Sequence, residues 1–213
     1  MQPVWAVVVA AGSGQRYGTA KQYAVLDGRT TLARSVAVAR TACDGVVVVV
    51  PAGDEDLAVV RESGADVVVT GGASRSASVR AGLAAVPGDV EIVVVHDAAR
   101  PLADPSLFAS VVHAVREGAD GAICAIAVTD TIKRVEGEFV AGTLDRTGLV
   151  SVQTPQAFRA TVLRRAHRGE PEATDDAALV EAAGGKVVVV PGDPRNLKLT
   201  EPADLATAEA LLR

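Results

Sequence analysis

The sequence predicts an α/β fold: a three-layer, Rossmann-like domain on a mostly parallel sheet, with a protruding β-arm. Three observations carry that expectation. Short Val-rich runs recur along the chain without the period-two alternation of half-exposed strands, so they read as strands covered on both faces. Segments with apolar residues at helical spacing separate them, which is the rhythm of a layered α/β domain. One stretch, 128–150, breaks the rhythm and reads as a hairpin.

In chain order, strands are expected at 4–9, 45–50, 66–70, 91–96, 121–128 and 186–190, where β-branched Val favours a pleated surface. Helices are expected at 31–41, 54–63, 74–86, 105–117, 159–168, 174–183 and 201–212. Thr174 and Thr200 are expected N-caps, since a hydroxyl can accept from the unpaired N–H groups of a first turn. Gly184-Gly185 is an expected stop. Within the odd stretch, strand-like pieces at 131–135 and 139–142 flank Glu136-Gly137-Glu138. A lone two-stranded hairpin is marginal in water, so this arm is expected to pack on the domain or on a second copy.

The 213 residues are expected to form one domain, 1–213, without a fused second enzyme. Hydrophobic residues make up 49% and aromatic ones 3%, so the core must come from Val, Ala, Leu and Ile. The apolar runs are far shorter than the ~20 residues of a membrane helix. Met1-Gln2-Pro3 leads straight into a core strand, so a soluble, cytoplasmic protein is expected, with no membrane partner. A net charge of -5 and few aromatics argue against a nucleic-acid partner. Cys43 and Cys124 stand apart from each other and from His, so two reduced thiols are expected rather than a disulfide or zinc site.

Chemistry is concentrated in two segments. The first strand breaks into Ala10-Ala11-Gly12-Ser13-Gly14-Gln15-Arg16, with Lys21 close behind. Glycine lets backbone N–H groups turn tightly onto an anion, and nearby cations neutralise the remaining charge, as a polyphosphate site requires. Tyr17 stands where a dinucleotide fingerprint needs its third Gly, and Gly18 is not followed by the Lys of a Walker A loop. The second segment is Val93-Val94-Val95-His96-Asp97-Ala98-Ala99-Arg100-Pro101. Asp97 ends an expected central strand, where ligands of open α/β sheets bind. It could hold Mg²⁺ together with substrate phosphates, or cap the next helix with Arg100 as ion-pair partner. His96 reads as a structural histidine rather than an acid or base.

Taken together these segments resemble the nucleotidyltransferases that act on sugar and polyol phosphates, and most closely the 2-C-methyl-D-erythritol 4-phosphate cytidylyltransferase family of the non-mevalonate isoprenoid pathway. The resemblance continues in order through Gly71-Gly72, Ser76-Ala77-Ser78-Val79, Asp130-Thr131-Ile132-Lys133 and Asp145-Arg146-Thr147-Gly148-Leu149. It ends with Thr154-Pro155-Gln156, Thr174-Asp175-Asp176 and Asn196-Leu197-Lys198-Leu199-Thr200. It implies transfer of CMP from CTP to a polyol phosphate, with release of pyrophosphate. The nucleophile is a phosphate oxygen already ionised at neutral pH, which agrees with the absence of a general-base constellation. Catalysis then consists of aligning two anions and stabilising charge at the α-phosphate.

The resemblance also implies roles. Arg16, Lys21, Lys198 and Arg146 are the expected catalytic cations. Ala10, Ala11, Gly12, Gly14, Gln15, Gly72, Ala73, Ser78 and Ala98 are expected around CTP, and Asp97 is the expected ligand of Mg²⁺ or another divalent cation. Thr131, Arg146, Thr154 and Lys198 are expected to hold the polyol phosphate. Gln15 replaces a frequent second Arg and Ala73 a usual acidic residue, so one cation and one side-chain contact are lost. Thr131 and Arg146 belong to the arm, which implies a homodimer exchanging arms, each site completed by its partner. Two rival readings are a ribitol 5-phosphate cytidylyltransferase and a non-catalytic nucleotide-binding module. The five cations and carboxylates Arg16, Lys21, Asp97, Arg146 and Lys198 speak against the second.

Overall fold

The computed structural model describes residues 3–12 and 20–213. The chain opens with β1 (Val4–Val9), a 3₁₀ turn (Lys21–Tyr23), a short ribbon of β2 (Val25–Leu26) and β3 (Arg29–Thr30), and α1 (Thr31–Ala39). It continues through β4 (Gly45–Val50), α2 (Ala58–Arg61), β5 (Val67–Thr70), α3 (Arg75–Ala85), β6 (Ile92–Asp97), α4 (Pro105–Arg116) and β7 (Gly121–Ala127). The arm is β8 (Lys133–Glu136) and β9 (Phe139–Thr143). Then follow β10 (Val150–Arg159), α5 (Ala160–Ala166), α6 (Asp176–Ala182), β11 (Val187–Pro191) and α7 (Ala203–Leu211).

The main sheet has seven strands in the order β11-β7-β10-β6-β1-β4-β5. All neighbours are parallel except β10, which runs antiparallel to both β6 and β7. Strand β1 lies between β4 and β6, so the chain leaves it to one side and returns on the other. That reversal opens the crevice in which such sheets bind ligands.

The continuous Val runs have a direct cause. In β4, Val46, Val48 and Val50 face one apolar layer, while Val47 and Val49 face the other. Leu32 and Val36 of α1 and Phe108 and Val111 of α4 cover the first face. Val79 and Leu83 of α3, Leu163 of α5 and Val180 of α6 cover the second. Burying each such side chain stabilises the fold by about 1.5–3 kcal/mol before ordering costs. A third small cluster, Leu26, Leu199 and Ala208, fixes α7 beside the loop that carries Lys198.

Several expectations change. Strand β10 was not anticipated, because it carries Gln153, Thr154, Pro155 and Gln156, polar or ring residues that look like a loop. Helix α2 shrinks to four residues, since Asp54 accepts from the Tyr23 hydroxyl (2.9 Å) and Glu55 from the Gly53 N–H (2.8 Å) instead of extending a helix. Thr174 is not the cap of α6; Asp175 is, accepting from Ala178 N at 3.0 Å. Thr200 is not the cap of α7 either, because Asp204 turns back to accept from its N–H and hydroxyl, and Pro202 takes the cap position. Asp97 is the last residue of β6, paired with Val9, and so ends the strand as expected. The hairpin forms with Gly137 at φ +60°, and Phe139 at its tip is 80% exposed. Cys43 and Cys124 are buried and unpaired, and burial pushes both thiols up to about 12. Among the described residues no helix is long and apolar enough to cross a membrane.

Candidate active site

The crevice beyond β1 and β6 is held open by backbone clamps. Ala10 N donates to Val49 O (2.8 Å), and Ala98 N donates to Val9 O (3.0 Å), so the ends of β1, β4 and β6 form one rigid rim. The turn after β5 presses against it. A Cβ on Gly71 would lie 2.3 Å from the Ala11 Cβ, and one on Gly72 2.4 Å from the Ala77 Cβ. Only glycine permits that approach. Ser74 caps α3 by accepting from Ala77 N (3.0 Å). Ser78, one helical turn further on, accepts from Gly72 N (3.2 Å) and donates to Ser74 O (2.8 Å), bracing the turn from behind.

These elements enclose a cleft of about 450 Å³. Of the residues expected around CTP, Ala10, Ala11, Gly12, Gly72, Ala73, Ser78 and Ala98 line it. Lys21, Asp97 and Lys198 line it as well. Gly14, Gln15 and Arg16 lie outside the described residues. The Lys21 ammonium donates to Leu199 O at 3.0 Å, which ties the end of the first loop to the loop bearing Lys198.

A second cleft of about 400 Å³ lies on the other side of Asp97, between β10 and α6. Thr154 and Gln156 of β10, Thr174 and Arg100 line it. Arg75, Asp97 and Lys198 line both clefts and so form their common wall. Thr131 and Arg146 line neither cleft; they belong to the arm segment, where the Arg146 guanidinium donates to Thr129 O.

The charge at this wall is organised around Asp97. Lys198 Nζ lies 2.6 Å from Oδ2, and Arg75 Nε lies 3.2 Å from Oδ1. Burial by itself would raise this carboxyl, but Arg75 and Lys198 outweigh it and hold it well below the usual carboxylate range. Arg100, weighed as a partner for Asp97, makes no ion pair with it; its side chain donates to Asn196 O (2.7 Å) and Val152 O (3.4 Å). The backbone N–H of Asp97 donates to the Thr154 hydroxyl (3.0 Å), which also meets His96 Nδ1 (3.2 Å). Thr154 is thus a strut beneath Asp97 as well as part of the second cleft. His96 is completely buried, and burial lowers it to about 4, which fits a structural histidine.

The sequence reading gave no role to Arg75, Asp176, His167 or Gln156. Arg75 bridges Asp97 and Asp176, and His167 meets the other oxygen of Asp176. Among the described residues the buried atoms Arg100 Nε and Gln156 Oε1 meet no hydrogen-bond partner, and both residues line the second cleft. The available signal was proximity: Arg75 immediately precedes Ser76-Ala77-Ser78, and Asp176 closes Thr174-Asp175-Asp176.

Among the described residues no group of three or more His, Cys, Asp and Glu side chains gathers to hold a metal. A single buried carboxylate beside a cation-lined cleft suits a hard divalent ion that arrives with phosphate oxygens, because Mg²⁺ usually takes one or two carboxylates plus substrate phosphates.

Comparison with known proteins shows the family and agrees with the fold. Residues 4–213 match the family model described as IspD: 2-C-methyl-D-erythritol 4-phosphate cytidylyltransferase. A 2-C-methyl-D-erythritol 4-phosphate cytidylyltransferase of Rubrobacter xylanophilus is 45% identical, with 97% of this chain and 94% of that protein covered. A bifunctional enzyme IspD/IspF of Anaeromyxobacter dehalogenans is 47% identical over 97% of this chain. The chain spans 56% of that protein, about half the length of the bifunctional relatives it matches. The crystal structure of 2-C-methyl-D-erythritol 4-phosphate cytidylyltransferase from Thermus thermophilus superposes with a TM-score of 0.84 at 37% identity, covering 99% of this chain and 98% of that one.

Proposed function

We propose that this chain, which belongs to the 2-C-methyl-D-erythritol 4-phosphate cytidylyltransferase family, transfers CMP from CTP to 2-C-methyl-D-erythritol 4-phosphate and releases pyrophosphate. The observation that carries the reading is the shared wall: two clefts meet at Arg75, Asp97 and Lys198. A nucleotide in one and a phosphate ester in the other would bring two anions together at fixed cations, which supplies orientation and charge stabilisation in one arrangement.

In this reading a phosphate oxygen of the polyol phosphate attacks the α-phosphorus of CTP. The bond from that phosphorus to the β-bridging oxygen breaks, and pyrophosphate carries the electron pair away. No proton needs to be removed from the nucleophile, so the reaction requires no general base. Lys21 and Lys198 neutralise charge on the triphosphate and the incoming phosphate, a role that Arg16 shares. Asp97 would hold Mg²⁺ or another divalent cation, whose chemistry when bound is to neutralise triphosphate charge. Ala10, Ala11, Gly12, Gly72, Ala73 and Ala98 offer a close, small-residue surface to the nucleotide. Thr154 and Lys198 face the polyol phosphate.

Thr131 and Arg146 act in trans, from the arm of a second copy. Support comes from the arm itself: Phe139, Val140 and Val135 are apolar yet 80%, 63% and 58% exposed, and a hairpin so exposed gains stability by packing on a partner. A cytoplasmic location is supported by the two unpaired buried thiols.

The deciding experiment incubates the protein with CTP, Mg²⁺ and either 2-C-methyl-D-erythritol 4-phosphate or ribitol 5-phosphate, and follows pyrophosphate release. Turnover of the first is expected. Turnover of ribitol 5-phosphate alone would move the protein to the rival substrate, and silence with both would leave a nucleotide-binding module.

A further inference from the structure

A file of charged side chains runs away from the common wall into the core. Lys198 Nζ meets Asp97 Oδ2 at 2.6 Å, Asp97 Oδ1 meets Arg75 Nε at 3.2 Å, and Arg75 Nη1 meets Asp176 Oδ2 at 2.7 Å. His167 Nε2 closes the file on Asp176 Oδ1 at 3.0 Å. The inner end is buried and the outer end is open to solvent. The side chains of Asp176 and His167 are 1% and 3% exposed, whereas that of Lys198 is 40% exposed.

The two distances at Arg75 are unequal, and the inequality has a consequence. A charge-assisted N–H···O contact near 2.7 Å is a strong one, and one near 3.2 Å is at the long end of the range. The guanidinium thus makes its shorter contact with Asp176, and the shorter contact of Asp97 is the one with Lys198. Among the described residues the Asp176 carboxylate meets Arg75 on one oxygen and His167 on the other, and it is almost fully buried. Its backbone is fixed as well. The preceding Asp175 caps α6 through Ala178 N (3.0 Å) and accepts from Gln156 Nε2 (3.1 Å), which joins α6 to the strand whose Thr154 braces Asp97.

We propose that Asp176, backed by His167, is a positioning residue that draws Arg75 away from Asp97 and so keeps Lys198 docked on Asp97, ready to exchange onto an incoming phosphate. The inference deepens the proposed reaction and rests on it for the role of Lys198. Asp176 touches neither substrate and acts only through Arg75. Without its charge, Arg75 would turn its planar fork onto Asp97, a geometry that guanidinium and carboxylate favour, and Lys198 would be released. Without Arg75, Asp97 would be left to Lys198 alone and would hold it more tightly.

The two changes therefore move Lys198 in opposite directions, which general loosening of the fold cannot do. The test is acetylation of the native protein by acetic anhydride, with the labelling rate of Lys198 followed by peptide mass spectrometry and Lys133 on the arm as internal reference. Asp176→Asn should raise the Lys198 rate roughly threefold and Arg75→Gln should lower it by a similar factor, the scale of a partly exposed ion pair. Rates that rise in both variants, or move in neither, overturn the proposal. Should Asp176→Asn not fold, Asp176→Ser removes the same charge with a smaller side chain and should shift the rate in the same direction; should Arg75→Gln not fold, Arg75→Met removes the same charge and should likewise lower the rate. Turnover is measured separately. Asp176→Asn should lower kcat while changing the KM for CTP little. Opposite labelling shifts in the two variants, together with a wild-type protein that turns over neither polyol phosphate, would leave the positioning role standing and sink the assigned reaction.

Discussion

Asp97 and Lys198, 101 positions apart in sequence, meet at 2.6 Å on the wall between the two clefts. Each therefore covers the other: the carboxylate is paired with an ammonium, and the ammonium with a carboxylate. In the proposed reaction, a metal-bearing nucleotide and a second phosphate would offer both a better partner. Replacing Asp97 by Asn should lower kcat/KM by about 10²–10³, comparable to loss of one preorganised charge-stabilising group. It should also raise the Mg²⁺ concentration needed for half-maximal rate. Pyrophosphate release across a magnesium titration, after chelator treatment that abolishes the wild-type rate, checks both expectations.

Lys21 reaches the same region from the other side, donating to Leu199 O at 3.0 Å. The lysine is half-buried at the cleft and lies outside the hydrophobic layers. Lys21→Ala should therefore reduce turnover by about 10²-fold or more, while the melting temperature moves by no more than about 2–4 °C. Near-normal turnover would remove Lys21 from its assigned role.

The arm gives a prediction with a built-in control. Arg146 lines neither cleft of its own chain. If it works in a partner's site, Arg146→Ala and Lys198→Ala should each be inactive alone, yet mixing them after mild dissociation should restore activity. In a mixed dimer one of the two sites would then combine an intact Lys198 with an intact Arg146. A mixture as silent as its parents would place Arg146 in cis.

How much of this was legible in the sequence follows from where each residue's partner lies. Val46 to Val50 announced a strand because every position faces one helical layer or the other, so the pattern is local. Strand β10 was hidden because its polar residues become admissible only through distant partners: Gln153 bonds Asp193 and Asn196, and Gln156 bonds Asp175. The glycine turn and Asp97 were readable from short-range chemistry, and the structure brings their described residues to one cleft. The file from Arg75 to Asp176 and His167 was not, since an Arg on a helix ordinarily reads as a solvated face and its carboxylate lies 101 positions away.

His96 supplies the last prediction, and its sign can be worked out. The ring is fully buried against Phe108, with centroids 5.0 Å apart. Nε2 lies 3.2 Å from the Arg100 carbonyl, which can only accept, so Nε2 carries the proton and Nδ1 accepts from the Thr154 hydroxyl. Burial lowers the folded-state value to about 4 from an ordinary 6.5. Between those limits the unfolded chain binds the proton and the folded chain does not, so stability rises with pH. The contribution is fully present above 6.5 and is lost as pH falls towards 4, amounting to about 2 kcal/mol by pH 5. The carboxyl of Asp97 is held below its usual range, so its own contribution is lost only at more acidic pH. Urea midpoints at pH 7 and pH 5 should therefore separate in the wild type and draw together in His96→Gln, even though that variant is less stable at both. Turnover should show no break near pH 6.5 attributable to this ring; one that vanished on substitution would mean that His96 ionises in the folded enzyme.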